Sequence, residues 1–150
     1  MGEKKMNSTI EKFGYPNSLI AENDHWVLLL RPKQVTLGSL ILASKSESDS
    51  MAKLGAEEYT AFGEIVGLLE AALKDLFDFD KINYLALMMK DKHVHFHVFP
   101  RYEEARTFSD VEFVDAAWPG APITSNVVEV DQESKARLLT TLKGAIAKVG

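Results

Sequence analysis

The sequence predicts an α+β fold, an antiparallel sheet of about five strands with one long central helix and a C-terminal helix. Three observations carry this expectation. His93, His95 and His97 alternate strictly with Val94, Phe96 and Val98, the period of a strand with one buried face. Between Glu57 and Phe77 the apolar residues Phe62, Ile65, Val66, Leu69, Leu73 and Leu76 recur at helical spacing. An apolar run from Ile82 to Met89 is separated from the histidines only by Lys90-Asp91-Lys92, and so short a connection implies a β-hairpin. With 150 residues, 46% hydrophobic and 26% charged, the chain 1–150 is expected to form a single soluble domain with its own core.

Taken in order, residues 1–14 are polar and without periodicity and read as a loose lead-in, with Gly14-Tyr15-Pro16-Asn17 as a turn. His25 to Arg31 is apolar, aromatic and β-branched between Asn23-Asp24 and Pro32, which makes a buried strand. Leu37 to Ala43 is the next strand, antiparallel to the first across the connection 32–36. The polar tract Ser44 to Ser50 is an exposed loop. In the long helix, Gly63 and Gly67 are expected to leave room for close approach to the sheet. Ile82 to Met89 and the histidine segment follow as strands, the second ended by Pro100, which has no N–H for a ladder. Residues 102–130 are irregular, with Trp118-Pro119-Gly120-Ala121-Pro122 a rigid loop and Asn126 to Val130 a short last strand. Asp131 to Val149 forms the C-terminal helix and buries Leu138, Leu142 and Ile146. No internal repeat or domain boundary is visible.

A formal net charge of −5 argues against a broad nucleic-acid surface while leaving room for a local phosphate pocket. The absence of cysteine excludes disulfides and thiolate metal sites and suits a reducing cytoplasm. Met1 to Met6 lack an apolar signal core, and no apolar run approaches the roughly 18 residues of a membrane span. A cytoplasmic protein without membrane or nucleic-acid partners is expected.

The three imidazoles on one strand face are spaced roughly 6.5 Å apart. They could be polar surface residues. They could also bind zinc, because His-x-His on a strand offers neutral imidazole ligands. Alternatively, one imidazole could attack a phosphorus centre and divide a hard displacement into two easier steps, while its neighbours donate to the phosphoryl oxygens.

The seven residues His93-Val94-His95-Phe96-His97-Val98-Phe99 resemble the signature of the histidine triad family of nucleotide hydrolases and transferases, in which histidine alternates with apolar residues. The order of elements over residues 20–102 is also similar to the family's, leaving 103–150 as an extension. The resemblance implies an α+β fold on an antiparallel sheet and a homodimer. It also implies attack by the central histidine, His95, on the α-phosphorus of a nucleotide, giving a nucleotidyl-histidine that water resolves. His97 would contact the phosphoryl oxygens and His93 would complete the polar row and its hydrogen-bond network, with no metal or other cofactor. The nucleophile must be neutral, with its Nδ1–H held by a backbone carbonyl so that Nε2 is free. The small-molecule substrate would be a nucleotide conjugate such as a dinucleoside polyphosphate or a phosphoramidate. Transfer to another acceptor, or nucleotide binding without turnover, are the alternatives.

The chain departs from the family pattern in three places. Ser39, after Gly38, stands where relatives commonly carry a fourth histidine. Met88-Met89-Lys90-Asp91-Lys92 stands where many have a glycine-rich loop, so Lys90 and Lys92 could favour an anionic leaving group or be ordinary turn residues. Asn83 lies near a substrate-contacting position. Arg31 falls near the ribose-contacting position, where a carboxylate or amide is usual, and Arg101 could meet a distal phosphate or the solvent. Trp118 is expected to seal the core, while His25 and the Met88-Met89 pair are read as structural.

Overall fold

The computed structural model describes residues 5–150, so Met1 to Lys4 of the polar lead-in lie outside the described residues. Among the described residues seven strands and three α-helices follow one another, with a 3-10 turn at Met51–Lys53 before α2: α1 (Ser8–Lys12), β1 (Leu19–Glu22), β2 (Trp26–Leu30), β3 (Leu40–Ser44), α2 (Ala56–Phe77), β4 (Lys81–Leu85), β5 (His95–Arg101), β6 (Arg106–Phe108), β7 (Val111–Phe113) and α3 (Gln132–Val149). Five of the strands form one antiparallel sheet in the order β1-β2-β3-β5-β4, and β6 and β7 form a separate small hairpin.

Every residue of β2 and β3 is buried, because both faces of the sheet are covered. On one face Trp26, Leu28, Leu30, Leu40, Leu42, Phe96 and Val98 pack against Ile65, Leu69 and Leu73 of α2 and Leu138, Leu142 and Ile146 of α3. On the other, Val27, Leu29, Ile41 and Ala43 lie under Ile10, with Met6, Phe13, Tyr15 and Leu19 at its margin. The register places His95 opposite Ala43 and His97 opposite Ile41. The histidines therefore share the face that the N-terminal segment crosses.

That segment is organised rather than loose. Asn7 caps α1 by accepting from the Ile10 N–H at 3.0 Å, and its Nδ2 donates to the carbonyls of Ser44 and Ser46, each at 2.8 Å. Capping accounts for the local turn, and the two bonds across 37 and 39 residues account for its position. Such long-range anchoring leaves no periodic trace in sequence.

β4 ends at Leu85, and Met88 takes a positive φ of 46°, so 86–94 is a loop and the expected tight turn at Lys90-Asp91-Lys92 is not formed. Leu87 and Met89 are exposed, Met89 at 80%, which also removes Met89 from the packing role expected of it. Pro100 lies inside β5, opposite Ile82. β3 ends at Leu40 opposite Val98, so Pro100 has a ladder neighbour on one side only and its missing N–H is tolerated. A Cβ on Gly63 or Gly67 would meet nothing within 4 Å, so neither glycine mediates close packing. Gly38 does: its φ is +83° and a Cβ there would sit 2.9 Å from Leu73 Cδ2. The expected strand at 126–130 is reduced to a single bridge between Val128 and Gln34. Asp131 caps α3 through the Ser134 N–H. Among the described residues no helix is long and apolar enough to cross a membrane.

Candidate active site

The site is built on the first half of β5. Nδ1 of His95 lies 2.7 Å from the carbonyl oxygen of His93. A carbonyl only accepts, so Nδ1 carries the proton and the neutral ring keeps its lone pair on Nε2. The His95 side chain is buried. His95 Nε2 has no hydrogen-bond partner among the described residues.

His97 has the opposite arrangement. Nε of Arg31, which only donates, reaches its Nδ1 at 3.3 Å. Nδ1 is therefore the acceptor and Nε2 carries the proton. Burial, the Arg31 charge and His95 together lower the His97 pKa to about 4, against a smaller opposing effect of Asp91. His97 is thus neutral at physiological pH. The two rings stand 5.2 Å apart at 71°, one offering a lone pair and the other a proton.

Phe13 lies over both, 5.8 Å from the His95 ring and 5.9 Å from His97. Phe99 continues the row beneath His97, nearly parallel to it at 6.1 Å, and the Arg31 guanidinium lies 5.5 Å over the Phe99 ring. Two uncharged walls thus flank the imidazoles.

His93 is held in a hydrogen-bond network of its own. It precedes β5, and its ring is buried between Thr9 Oγ1 at 2.8 Å on Nδ1 and Glu47 Oε2 at 3.0 Å on Nε2. The carboxylate accepts from Nε2, and the Thr9 hydroxyl is bonded to Nδ1. Both nitrogens are engaged. What His93 brings to the site is its carbonyl, held in place by a ring tied to α1 and to the 45–50 loop.

The remaining predicted residues divide. Arg31 is at the site, with Nη1 donating to the Lys33 carbonyl and Nη2 finding no acceptor among the described residues. Ser39 is fully buried and its hydroxyl closes a turn, donating to the Thr36 carbonyl at 2.7 Å and accepting from the Thr36 N–H at 3.0 Å. It does not replace a fourth histidine. Lys90 and Lys92 are exposed, and the charges that act on His97 are those of Arg31 and Asp91 rather than theirs. Asp91 pairs with Lys12 of α1 at 2.6 Å.

Arg101 and Asn83 share the sheet face but are engaged elsewhere. Arg101 grips Asp115 through Nε at 2.7 Å and Nη2 at 3.0 Å, and its Nη1 donates to Asn83 Oδ1 at 2.7 Å. Both charged side chains are only 3% exposed. Trp118 is half-buried outside the main core, lining a cleft of about 440 Å³ with Lys81, Asn83 and Arg101.

Thr9, Phe13, Glu47 and Asp115 were not identifiable from the sequence. Thr9 and His93 are 84 positions apart, and no local pattern marks either partner. No three His, Asp or Glu side chains among the described residues converge to hold a metal ion.

A family model described as the HIT domain matches residues 12–104. No curated protein matches the chain in sequence. Among solved structures, a histidine triad protein from Marinobacter aquaeolei VT8 is 19% identical, with 99% of this chain and 100% of that one covered at a TM-score of 0.74. A histidine triad protein from Bradyrhizobium japonicum is 18% identical over 95% and 97% of the two chains, with a TM-score of 0.73. A diadenosine triphosphate hydrolase from Plasmodium falciparum, in complex with Cyclomarin A, is 13% identical over 99% and 88%, with a TM-score of 0.64. Such identities speak for a common fold.

Proposed function

Because the chain belongs to the histidine triad family, matched over more than half its length, we propose that it hydrolyses a nucleotide conjugate at the α-phosphate through a nucleotidyl-His95 intermediate. The observation that carries this reading is the 2.7 Å contact between His95 Nδ1 and the His93 carbonyl. It leaves a neutral, oriented Nε2 lone pair, the state a histidine nucleophile needs.

In the first step His95 Nε2 bonds to the α-phosphorus while the bond from phosphorus to the leaving group breaks. The leaving group departs with that electron pair and takes up a proton. In the second step water bonds to phosphorus, the P–N bond breaks, the water loses a proton to solvent, and the mononucleotide leaves with His95 restored. Throughout, His97 Nε2–H donates to a non-bridging oxygen, where charge is concentrated in the transition state. Phe13 and Phe99 offer apolar surface to the nucleoside. Arg31 Nη2, on the same edge of the guanidinium as Nε and without an acceptor among the described residues, remains available to an anionic oxygen of the substrate.

Incubation with a panel of adenine and guanine dinucleoside polyphosphates and phosphoramidates tests this, with mononucleotide release expected. Binding without release would mark a nucleotide-binding module. Release only in the presence of a second acceptor would mark a transferase.

The same reading takes residues 1–150 as one cytoplasmic domain, supported by α3 sharing the core of α2 and the sheet and by the lack of cysteine. It further takes the working form as a two-fold homodimer. β4 is an open edge of the sheet, and the exposed Leu87 and Met89 follow it. Sedimentation as a monomer at micromolar concentration would remove the dimer.

A further inference from the structure

We propose that Arg31 is a positioning residue that holds His97 in its Nε2–H tautomer, and so decides that His97 donates rather than accepts beside the nucleophile. The proposal rests on the phosphoryl-transfer reading of the site for its purpose, though not for its physical content. A guanidinium has donors only and stays protonated, so the atom that meets Arg31 Nε at 3.3 Å must be a lone pair. That atom is His97 Nδ1. A neutral imidazole carries one proton, which is thereby assigned to Nε2.

Arg31 is itself held from several sides. Its backbone N–H donates to the Ser39 carbonyl at 3.0 Å, its Nη1 donates to the Lys33 carbonyl at 2.5 Å, and its plane lies over Phe99, which is stacked beneath His97. The charged and titratable groups acting on His97 are Arg31 at the end of β2, His95 on the same strand and Asp91 of the preceding loop; Phe13, from the N-terminal segment, adds only an uncharged wall. A carboxylate at position 31 would reverse the arrangement, taking the Nδ1 proton and turning a lone pair toward the phosphoryl oxygens. With arginine there, His95 and His97 are fixed in complementary tautomers.

Nitrogen-resolved NMR of the imidazoles tests this in the full chain, compared between wild type, Arg31→Lys and Arg31→Met. In the wild type, His97 should show a protonated Nε2 and a bare Nδ1 and should stay neutral well below pH 6. In Arg31→Met its titration should move up by about one pH unit or more toward the ordinary histidine value, and the acid limb of kcat/KM should move with it. kcat should fall about tenfold or more, because a misaligned donor loses part of its transition-state bond. Arg31→Lys keeps a charged donor and should restore the low titration and most of kcat. A wild-type His97 protonated at Nδ1, or an unchanged His97 titration in Arg31→Met, overturns the proposal. The tautomer is read without substrate, so absence of turnover on every nucleotide would remove the hydrolase reading and leave the Arg31 assignment standing.

Discussion

Arg31, just past the end of β2, and Arg101, at the end of β5, share one sheet face beside Phe99, and they have been used in opposite ways. Arg101 spends Nε and Nη2 on Asp115 and Nη1 on Asn83, with both members of the ion pair 3% exposed. Arg31 is half-buried, commits Nε to His97 and Nη1 to a carbonyl, and keeps Nη2. The first pins the irregular 114–128 stretch to β5, and the second tunes an imidazole. A cation on a binding face is therefore binding equipment only to the extent that its donors are unspent. The same distinction separates His93, with both nitrogens engaged, from His95, with one nitrogen free.

The largest effect should come from the unspent end. His95→Ala is expected to lower turnover by at least about 10³-fold while the chain still folds. Retention of most activity in that variant would remove the nucleophile from the mechanism. At the spent end the effect should fall on stability instead. Asp115→Ala leaves the Arg101 charge buried and unpaired, and about 3–5 kcal/mol should be lost in urea unfolding, with kcat of the folded fraction nearly unchanged. A fall in kcat without a fall in unfolding free energy would make that end part of the active site.

A smaller effect follows from His97. Its folded pKa of about 4 lies below the ordinary value of 6.5. Between those values the unfolded chain binds more protons here than the folded one, so stability rises with pH through that window and falls as pH is lowered from about 6.5 to about 4. Urea midpoints at several pH values should show this decline in the wild type and a shallower one in His97→Asn. Parallel curves would contradict the neutral His97.

The smallest effect concerns Lys90 and Lys92. Since both are exposed and neither is among the charges acting on His97, replacing both with Gln should change kcat/KM by less than about threefold. Diadenosine tetraphosphate and a phosphoramidate should respond alike. A marked, salt-mimicked loss on the polyphosphate alone would return the lysines to the site.

The parts of the molecule legible in sequence are those whose cause is local. β2, β3, α2 and α3 follow from apolar runs and helical spacing, and the histidine strand from alternation, with boundaries displaced by a residue or a few. The stretch 86–92 reads as a strand and tight turn because Ala86-Leu87-Met88-Met89 has the composition of a strand, but it has no strand to pair with. β4 leaves its neighbour at Leu85 opposite His97, while the chain before β5 is drawn to Thr9 and Glu47 by the His93 ring. Arg101 was read as free because its partner Asp115 lies 14 residues on, in a stretch without periodicity. Distant pairings decide which polar groups remain available, and composition does not record them.

The most direct test of His95 as nucleophile is the mass of the intact protein quenched during turnover, with the adduct then located by fragmentation. The expected result is a gain of one nucleotidyl group on His95, absent in His95→Ala and unaffected by chelators. Turnover with no adduct at any quench time, an adduct on another residue, or activity lost to a chelator and restored by zinc would contradict it.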